Sequence, residues 1–196
     1  MNLKYRSFRA GIIRDLVPPV ERIRAEGIFH ATLRDRPGGR IIGETQARNL
    51  LPNVSLQYLL NTTLMGGAAV VGPYMGLLIG ATAAQAGDSM ATVGVAGREA
   101  AGAPARLGAA FVTATTTGTG TTANGTSNVT TPPQFQNSVP ASETITGAFI
   151  VTGTGAVATR LSTAGTLFSE GLFAAGQAWS SGQQLTVSYS VTLSSP

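Results

Sequence analysis

The sequence predicts a mainly β protein, an antiparallel, jelly-roll-like β-sandwich with one short helix and an extended N-terminal arm. The strongest observation is the strict alternation of apolar and hydroxylic residues over 185–193, which is typical of a strand with one buried face. Its apolar members, which face either the core or an oligomer interface, are Leu185, Val187, Tyr189, Val191 and Leu193. Apolar residues also dominate 145–151, and threonine fills ten of the twenty positions 112–131. Two packed antiparallel sheets follow from these patterns.

The chain divides into a basic arm, residues 1–26, and a body, residues 27–196. Pro18-Pro19 prevents a continuous helix in the arm. The body opens with a strand pattern, the turn residues Pro37-Gly38-Gly39 and a returning strand pattern. These features predict a hairpin over 27–48.

One short helix is predicted at about 53–65. Asn53 and Ser55 favour a helix start, leucines follow at near-helical spacing, and Gly66-Gly67 would end the helix. The apolar run 74–79 then predicts a buried strand. The small residues between there and position 107 indicate turns and irregular chain.

The second half of the body predicts strands throughout. Residues 112–131 are either a long loop or strands with a glycine-rich tip, because threonine favours strands and glycine opposes them. Residues 145–151 predict a strong strand and residues 165–169 a short one. The alternating segment 185–193 is the last strand.

The composition disfavours catalysis, and we expect a protein that is not an enzyme and has no cofactor. The chain has no cysteine, which excludes disulfides, thiolate nucleophiles and cysteine-based metal sites. Its one histidine, His30, argues against a Ser-His-Asp triad or a multi-histidine metal centre. Glu143 and Glu170 could form a glycosidase-like pair only if the fold brought them together. We expect instead that both are ordinary surface groups.

The positive charge is concentrated in the first 48 residues. This part holds ten basic and five acidic residues, whereas residues 49–196 hold three and four. The candidate interaction residues in the arm are Arg6, Arg9, Arg14, Arg22 and Arg24. Planar guanidinium donors suit carboxylates, so the favoured partner is an acidic protein surface. A solvated arm without a partner is the alternative, and nucleic acid is unlikely because acids interrupt the basic field and aromatics are sparse.

Neither a secretory signal nor a membrane span is expected. No apolar segment of the required length follows the N-terminal charges. Residues 64–84 are uncharged, but glycine and alanine dominate them, Pro73 interrupts them, and no lysine or arginine cluster flanks them.

A series of short motifs, in a fixed order over 27–193, resembles a family of structural proteins of tailed-bacteriophage virions. In the first half these are the asparagine that ends the hairpin, a Leu-Leu helix, a Tyr-x-Gly-Leu strand and a Gly-Asp-Ser turn, here Asn49, Leu59-Leu60, Tyr74-Met75-Gly76-Leu77 and Gly87-Asp88-Ser89. In the second half they are Ile145-Thr146-Gly147-Ala148-Phe149, Gly165-Thr166-Leu167-Phe168-Ser169, Gly171-Leu172-Phe173 and Leu185-Thr186-Val187-Ser188-Tyr189. The chain departs from the family by lacking a tryptophan before Tyr74 and by having Gln183 where an aspartate is usual.

The resemblance implies a β-sandwich that oligomerises, with a trimer favoured, on or near the capsid. It leads us to expect a decoration or cement protein, also termed a minor capsid protein, that binds the outer capsid surface and stabilises the shell. Its partners would be the major capsid protein or other virion proteins, and its location the virion, assembled in the bacterial host cytoplasm. The alternatives are a head or tail fibre module that binds a host receptor through residues 112–131, and a neck, tail or baseplate component.

Overall fold

The computed structural model describes residues 24–64, 71–109, 115–116, 124–127 and 132–194 of the chain. They form ten strands and two helices. The first half comprises β1 (Arg24–Arg34), β2 (Ile41–Arg48), α1 (Asn53–Leu64), β3 (Tyr74–Ile79), α2 (Met90–Val93) and β4 (Leu107–Gly108). The second half comprises β5 (Thr115–Thr116), β6 (Asn124–Ser127), β7 (Gln134–Gln136), β8 (Glu143–Thr152), β9 (Thr166–Trp179) and β10 (Gln184–Ser194).

The strands form two antiparallel sheets, which confirms the predicted mainly β, sandwich-like fold. Sheet A has the order β2-β1-β10-β6-β5, and β7 also pairs with β10. Sheet B has the order β4-β3-β8-β9. The hairpin of β1 and β2 and the last strand therefore lie side by side, although they come from opposite ends of the chain.

The main core lies between the two sheets. From sheet A it takes the alternating side chains of β1 and β10, and from sheet B it takes Met75, Leu77 and Ile150. Of the five apolar residues predicted on the last strand, Leu185, Val187 and Tyr189 are fully buried in this core. Val191 is partly buried against it, and the side chain of Leu193 lies outside the described part. The alternation therefore marks a core strand along its first half.

A second apolar layer covers the other face of sheet B. It contains Leu78, Phe149, Val151 and Leu167 from the strands and Met90 and Val93 from α2. Because apolar groups lie on both sides, β8 is buried almost continuously after its first four residues. Sheet B is thus an internal layer, whereas sheet A has one face in contact with solvent.

Close packing within sheet B depends on glycine. A Cβ atom at Gly147 would lie 2.3 Å from the carbonyl oxygen of Gly171 on the neighbouring strand. The register of β8 and β9 also shifts at this point and again between Ile150 and Val151. Bulges of this kind bend a strand and re-aim its side chains.

Several predicted boundaries need correction. β1 begins at Arg24, inside the predicted arm, because its ladder with β10 continues to Ser194. The helix predicted at about 53–65 is confirmed as α1, Asn53–Leu64. The predicted short strand 165–169 is the start of the fourteen-residue β9, in which pairing with β8 overrides the poor strand propensity of glycine and alanine.

A helix lies where turns and irregular chain were expected, and the segment 112–131 contains strands, which is one of the two alternatives predicted for it. The four-residue helix α2 begins in a reciprocal capping box between Ser89 and Thr92. Within 112–131, β5 and β6 pair with each other, and the other residues of that segment lie outside the described part. No helix in the described residues is long and apolar enough to cross a membrane.

Candidate functional site

The predicted arm residues lie almost wholly outside the described part of the chain. This holds for Arg6, Arg9, Arg14 and Arg22 and for the side chain of Arg24. The backbone of Arg24 pairs with Ser194, and the adjacent Leu193 pairs with Asn124 of the threonine-rich segment. β1 therefore begins at the end of sheet A where β10 ends and β6 begins.

A polar corner, formed by Gly27, Asn49, Ser169 and Tyr189, lies where the two sheets meet. The side-chain oxygen of Asn49 accepts a hydrogen bond from the Gly27 N–H at 2.6 Å. Its Nδ2 donates to Ser169 Oγ and to the Tyr189 hydroxyl, each at 2.9 Å. One amide side chain thus links β1, β9 and β10, and it uses both of its N–H donors and its oxygen to do so.

The polar corner leaves no room for a larger residue at position 27. A Cβ atom there would lie 2.5 Å from the Tyr189 hydroxyl and 2.6 Å from Asn49 Nδ2. Burial raises the pKa of Tyr189 to about 12, and its hydrogen bond with Ser169 acts in the opposite direction. The Tyr189 hydroxyl therefore keeps its proton across the physiological range.

The backbone next to the polar corner joins the two sheets directly. Leu50 N donates to the Glu170 carbonyl at 2.7 Å, and Glu170 N donates to the Leu50 carbonyl at 3.2 Å. This two-way bridge connects the chain after β2 in sheet A to β9 in sheet B. Glu170 consequently occupies a fixed backbone position at the seam.

The side chain of Glu170 belongs to a buried charged cluster with Asp88 and Arg98. Arg98 Nη2 lies 3.1 Å from Glu170 Oε2, and Arg98 Nη1 lies 3.4 Å from Asp88 Oδ1. The Glu170 side chain is 0% exposed, and its Oε1 has no hydrogen-bond partner within the described residues. Two carboxyl groups therefore share one guanidinium in a site largely closed to water.

This arrangement separates the proton affinities of the two carboxyl groups. Burial raises the pKa of Glu170 to about 7, and the hydrogen bond and charge of Asp88 add to the effect, while Arg98 opposes it. Burial also acts to raise the pKa of Asp88. Hydrogen bonds with Glu170, the Gln85 N–H and Thr92, together with the charge of Arg98, nevertheless hold it below the ordinary value. Asp88 is therefore the more acidic member of the pair, and Glu170 keeps its proton up to about pH 7.

A second buried ion pair, Glu99 with Arg106, fixes the loop between β8 and β9. Arg106 donates from Nε and Nη2 to the two Glu99 oxygens at 2.8 and 2.9 Å. The same carboxylate accepts from Leu161 N at 2.8 Å, and Arg106 Nη2 also donates to the Ser162 carbonyl at 2.8 Å. These bonds hold Leu161 at a φ of 60°, which side chains other than glycine rarely adopt.

Glu143 and Glu170 do not lie close together. The expectation that both are ordinary surface groups was wrong. The Glu143 carboxylate accepts hydrogen bonds from the backbone N–H groups of Ala101 and Gly102, at 2.9 and 2.7 Å. Glu143 pairs with Trp179 at one end of β8, whereas Glu170 pairs with Phe149, six positions along that strand. At about 3.3 Å per residue, roughly 20 Å separates them.

The remaining polar surface of interest is the outer face of sheet A. Side chains that alternate with the buried ones point to solvent there, and they carry mainly hydroxyl, amide or imidazole groups: His30, Thr32, Gln46, Gln134, Thr186 and Ser188. Glu44 and Arg48 lie on the outer strand β2. No group of three or more metal-ligating side chains occurs among the residues described.

A shallow groove of about 320 Å³ lies beside this face at the seam of β2 and β9. Four apolar side chains line it, together with Gln46 and Arg48. Fold and site together define a β-sandwich whose two sheets are joined by a polar corner, with a buried charged cluster beside it on sheet B. No family model, curated protein or solved structure is similar enough to this chain to count as a match.

Four of the motifs singled out from the sequence contribute a residue to this seam. Asn49, Asp88, Ser169 and Tyr189 come from four separate motifs, and all four lie in the polar corner or the charged cluster. Sequence reasoning missed Arg98 and the pairing role of Glu170. The sequence hinted at these roles only through the scarcity of charged residues after position 48. Three of the four acids in that part of the chain are buried.

Proposed function

We propose that this protein is a decoration or cement protein that binds the outer surface of a tailed-bacteriophage capsid and stabilises the shell. The observation that carries the proposal is the convergence of the motifs at one corner of the fold. Asn49, Ser169 and Tyr189 are 120 and 140 positions apart, yet one amide group joins them. Three of the motifs that carry the resemblance to virion proteins therefore contact one another through hydrogen bonds in the folded body.

The outer face of sheet A supports an oligomer of the body, and we favour a trimer. Its central side chains, among them Thr32, Thr186 and Ser188, are uncharged and form hydrogen bonds readily. Packing such a face against a second copy removes few charges from water, so the desolvation cost is small. Three copies around an axis would also bring three arms close together.

The arm supplies the contact with the shell in this proposal. Its arginines can form paired hydrogen bonds with carboxylates on neighbouring capsid subunits. Each such contact is modest, but several arms on one oligomer raise the effective concentration of the next arm once the first has bound. Binding therefore depends on the arginines as a set.

The experiment measures binding of the purified full chain to capsids that lack it. One variant replaces Arg6, Arg9 and Arg14 with Gln. A matched control replaces Arg36, Arg40 and Arg160, which lie on loops of the body, and so removes the same charge. We expect the arm variant to lose at least tenfold in affinity and the control to bind as the unmodified chain does. Equal binding by both variants would contradict the role of the arm.

A further measurement separates the alternatives. Purified protein that binds intact host cells, and does not bind capsids, would identify a receptor-binding module of a fibre. Binding only to isolated necks, tails or baseplates would identify a component of those structures. Saturable binding to the capsid surface supports the decoration function.

A further inference from the structure

The charged cluster of Asp88, Arg98 and Glu170 connects three parts of the fold. Glu170 belongs to β9 and holds Leu50 through the backbone bridge. Asp88 lies in the turn whose Ala86 carbonyl accepts a hydrogen bond from Asn53 N, at the start of α1, at 2.9 Å. Arg98 lies in the turn after α2, and its carbonyl accepts from Ile79 N at 2.8 Å. The cluster thus fastens the cover of sheet B, meaning α1 and residues 85–98, to the seam.

The charges in this cluster balance only when it holds one proton. Arg98 contributes +1, and two ionised carboxylates would leave a net −1 in a site where the Glu170 side chain is 0% exposed. With a proton on Glu170, its carboxyl group donates a hydrogen bond to Asp88 and the cluster is neutral. Without that proton, Glu170 Oε1 has no donor within the described residues.

Among the described residues, Arg98 is the cation that pairs with Glu170. The strands β2 and β1 also pack on β9, but Glu44 and Arg48 of β2 and His30 of β1 are exposed on the outer face of sheet A. α1, which packs on β9, has Tyr58 as its one titratable side chain. On β8 the partner of Glu170 is Phe149, and the guanidinium of Arg106 over that ring is paired with Glu99. Arg98 is therefore the cation available to the two carboxyl groups among the residues described.

We propose that Asp88, Arg98 and Glu170 form a proton-dependent clasp, which holds the cover of sheet B while Glu170 is protonated and releases it when Glu170 ionises. The proposal concerns the fold of the body alone and does not rest on the proposed capsid function. It predicts local loosening of α1 and residues 85–98 at alkaline pH, with both sheets intact.

The direction of the pH dependence follows from the raised pKa of Glu170. Its value in the folded chain is about 7, against an ordinary value of 4.5. The contribution to stability is therefore complete below about pH 4.5 and is lost as the pH rises through about 7. Asp88, whose pKa is lowered, has the opposite dependence, which appears only in the acid range.

Hydrogen exchange of the full chain at about pH 5.5 and about pH 8.5, corrected for intrinsic exchange rates, tests the clasp. We expect protection of the amides in 85–98 to fall at least tenfold in the unmodified chain and to stay constant in Glu170→Gln, which is always neutral. Glu44→Gln, on the exposed face of sheet A, is the matched control and should behave as the unmodified chain. An equal loss of protection in Glu170→Gln would overturn the proposal.

A second measurement applies if Glu170→Gln fails to fold. The side-chain carboxyl carbon of Glu170 can be followed by NMR as the unmodified chain is titrated. A midpoint near pH 7 is expected, together with a chemical-shift change at Arg98 over the same range. A midpoint near the ordinary 4.5, or no accompanying change at Arg98, would overturn the clasp.

Discussion

Asn49 Nδ2 donates a hydrogen bond to the Tyr189 hydroxyl at 2.9 Å, across 140 positions of sequence. The same nitrogen donates to Ser169, so the asparagine that ends the β1–β2 hairpin is also the centre of the corner between the sheets. Tyr189 is fully buried and its ring lies 4.6 Å from that of Phe29. The hydrogen bonds of Asn49 and the ring contact between Phe29 and Tyr189 therefore both link β1 to β10.

Replacing Asn49 with Ala should destabilise the body by about 3 kcal/mol, because three side-chain hydrogen bonds of roughly 1 kcal/mol each are lost and their partners stay buried. Chemical denaturation, monitored by circular dichroism, measures this change. Asn61→Ala, at an exposed position of α1, is the control and should change the free energy of unfolding by less than about 0.5 kcal/mol. Equal effects of the two substitutions would show that the polar corner does not stabilise the body.

Replacing Gly27 with Ala should cost about 2 kcal/mol, since the new methyl group overlaps the Tyr189 hydroxyl. Adding Tyr189→Phe removes the overlapping oxygen, so the double variant should lose less than the sum of the two single variants. Gly87→Ala, where nothing lies within 4 Å, is the control. Strict additivity in this cycle would argue against the predicted overlap.

Arg106→Met should destabilise the body by about 3–5 kcal/mol, because it leaves the Glu99 carboxylate buried without its cation. Replacing both partners, as Glu99→Leu with Arg106→Met, removes the unpaired charge and should cost less than Arg106→Met alone. Arg160→Met, at a partly exposed position of the loop between β8 and β9, serves as the control. A double variant less stable than either single one would show that packing, not charge, dominates here.

Leu161 offers a test of backbone strain. Its φ of 60° favours glycine, so Leu161→Gly should be more stable than Leu161→Ala by about 1 kcal/mol. At Val157, an exposed position of the same loop without a positive φ, the order should reverse, with Ala more stable than Gly. Thermal unfolding of the four variants gives both differences. The same order at both positions would contradict strain at Leu161.

The sequence predicts an element of this fold correctly where the regular spacing of apolar side chains is enough to identify a strand or a helix. The alternation around Val187 marks β10, because one apolar and one hydroxylic face require no knowledge of the partner strand. β9 was predicted only in part, since Gly171, Ala174 and Gly176 favour no strand by themselves. Its length depends on the ladder with β8 and on the seam with β2, which are properties of the folded chain.

The site was less accessible to sequence reasoning than the fold. The alternation singles out Tyr189 as a strand residue, and only the resemblance singles out Asn49. No local pattern indicates that the two residues are in contact, because they lie so far apart in the sequence. Glu170 looked like a surface carboxylate, but the folded chain buries it completely. For Arg98 the one signal was the scarcity of charge after position 48. Charged residues that pair through tertiary contacts have no regular spacing in the sequence, so a single sequence does not show which of them are buried or paired.

The central claim is that this protein coats a phage shell, and its copy number and position in purified virions test it most directly. Quantitative mass spectrometry combined with a cryo-electron microscopy reconstruction gives both. The account predicts on the order of a hundred copies or more, arranged as symmetric trimers on the outer surface of the capsid. A count of about a dozen or fewer, confined to the neck, tail or fibres, would contradict it.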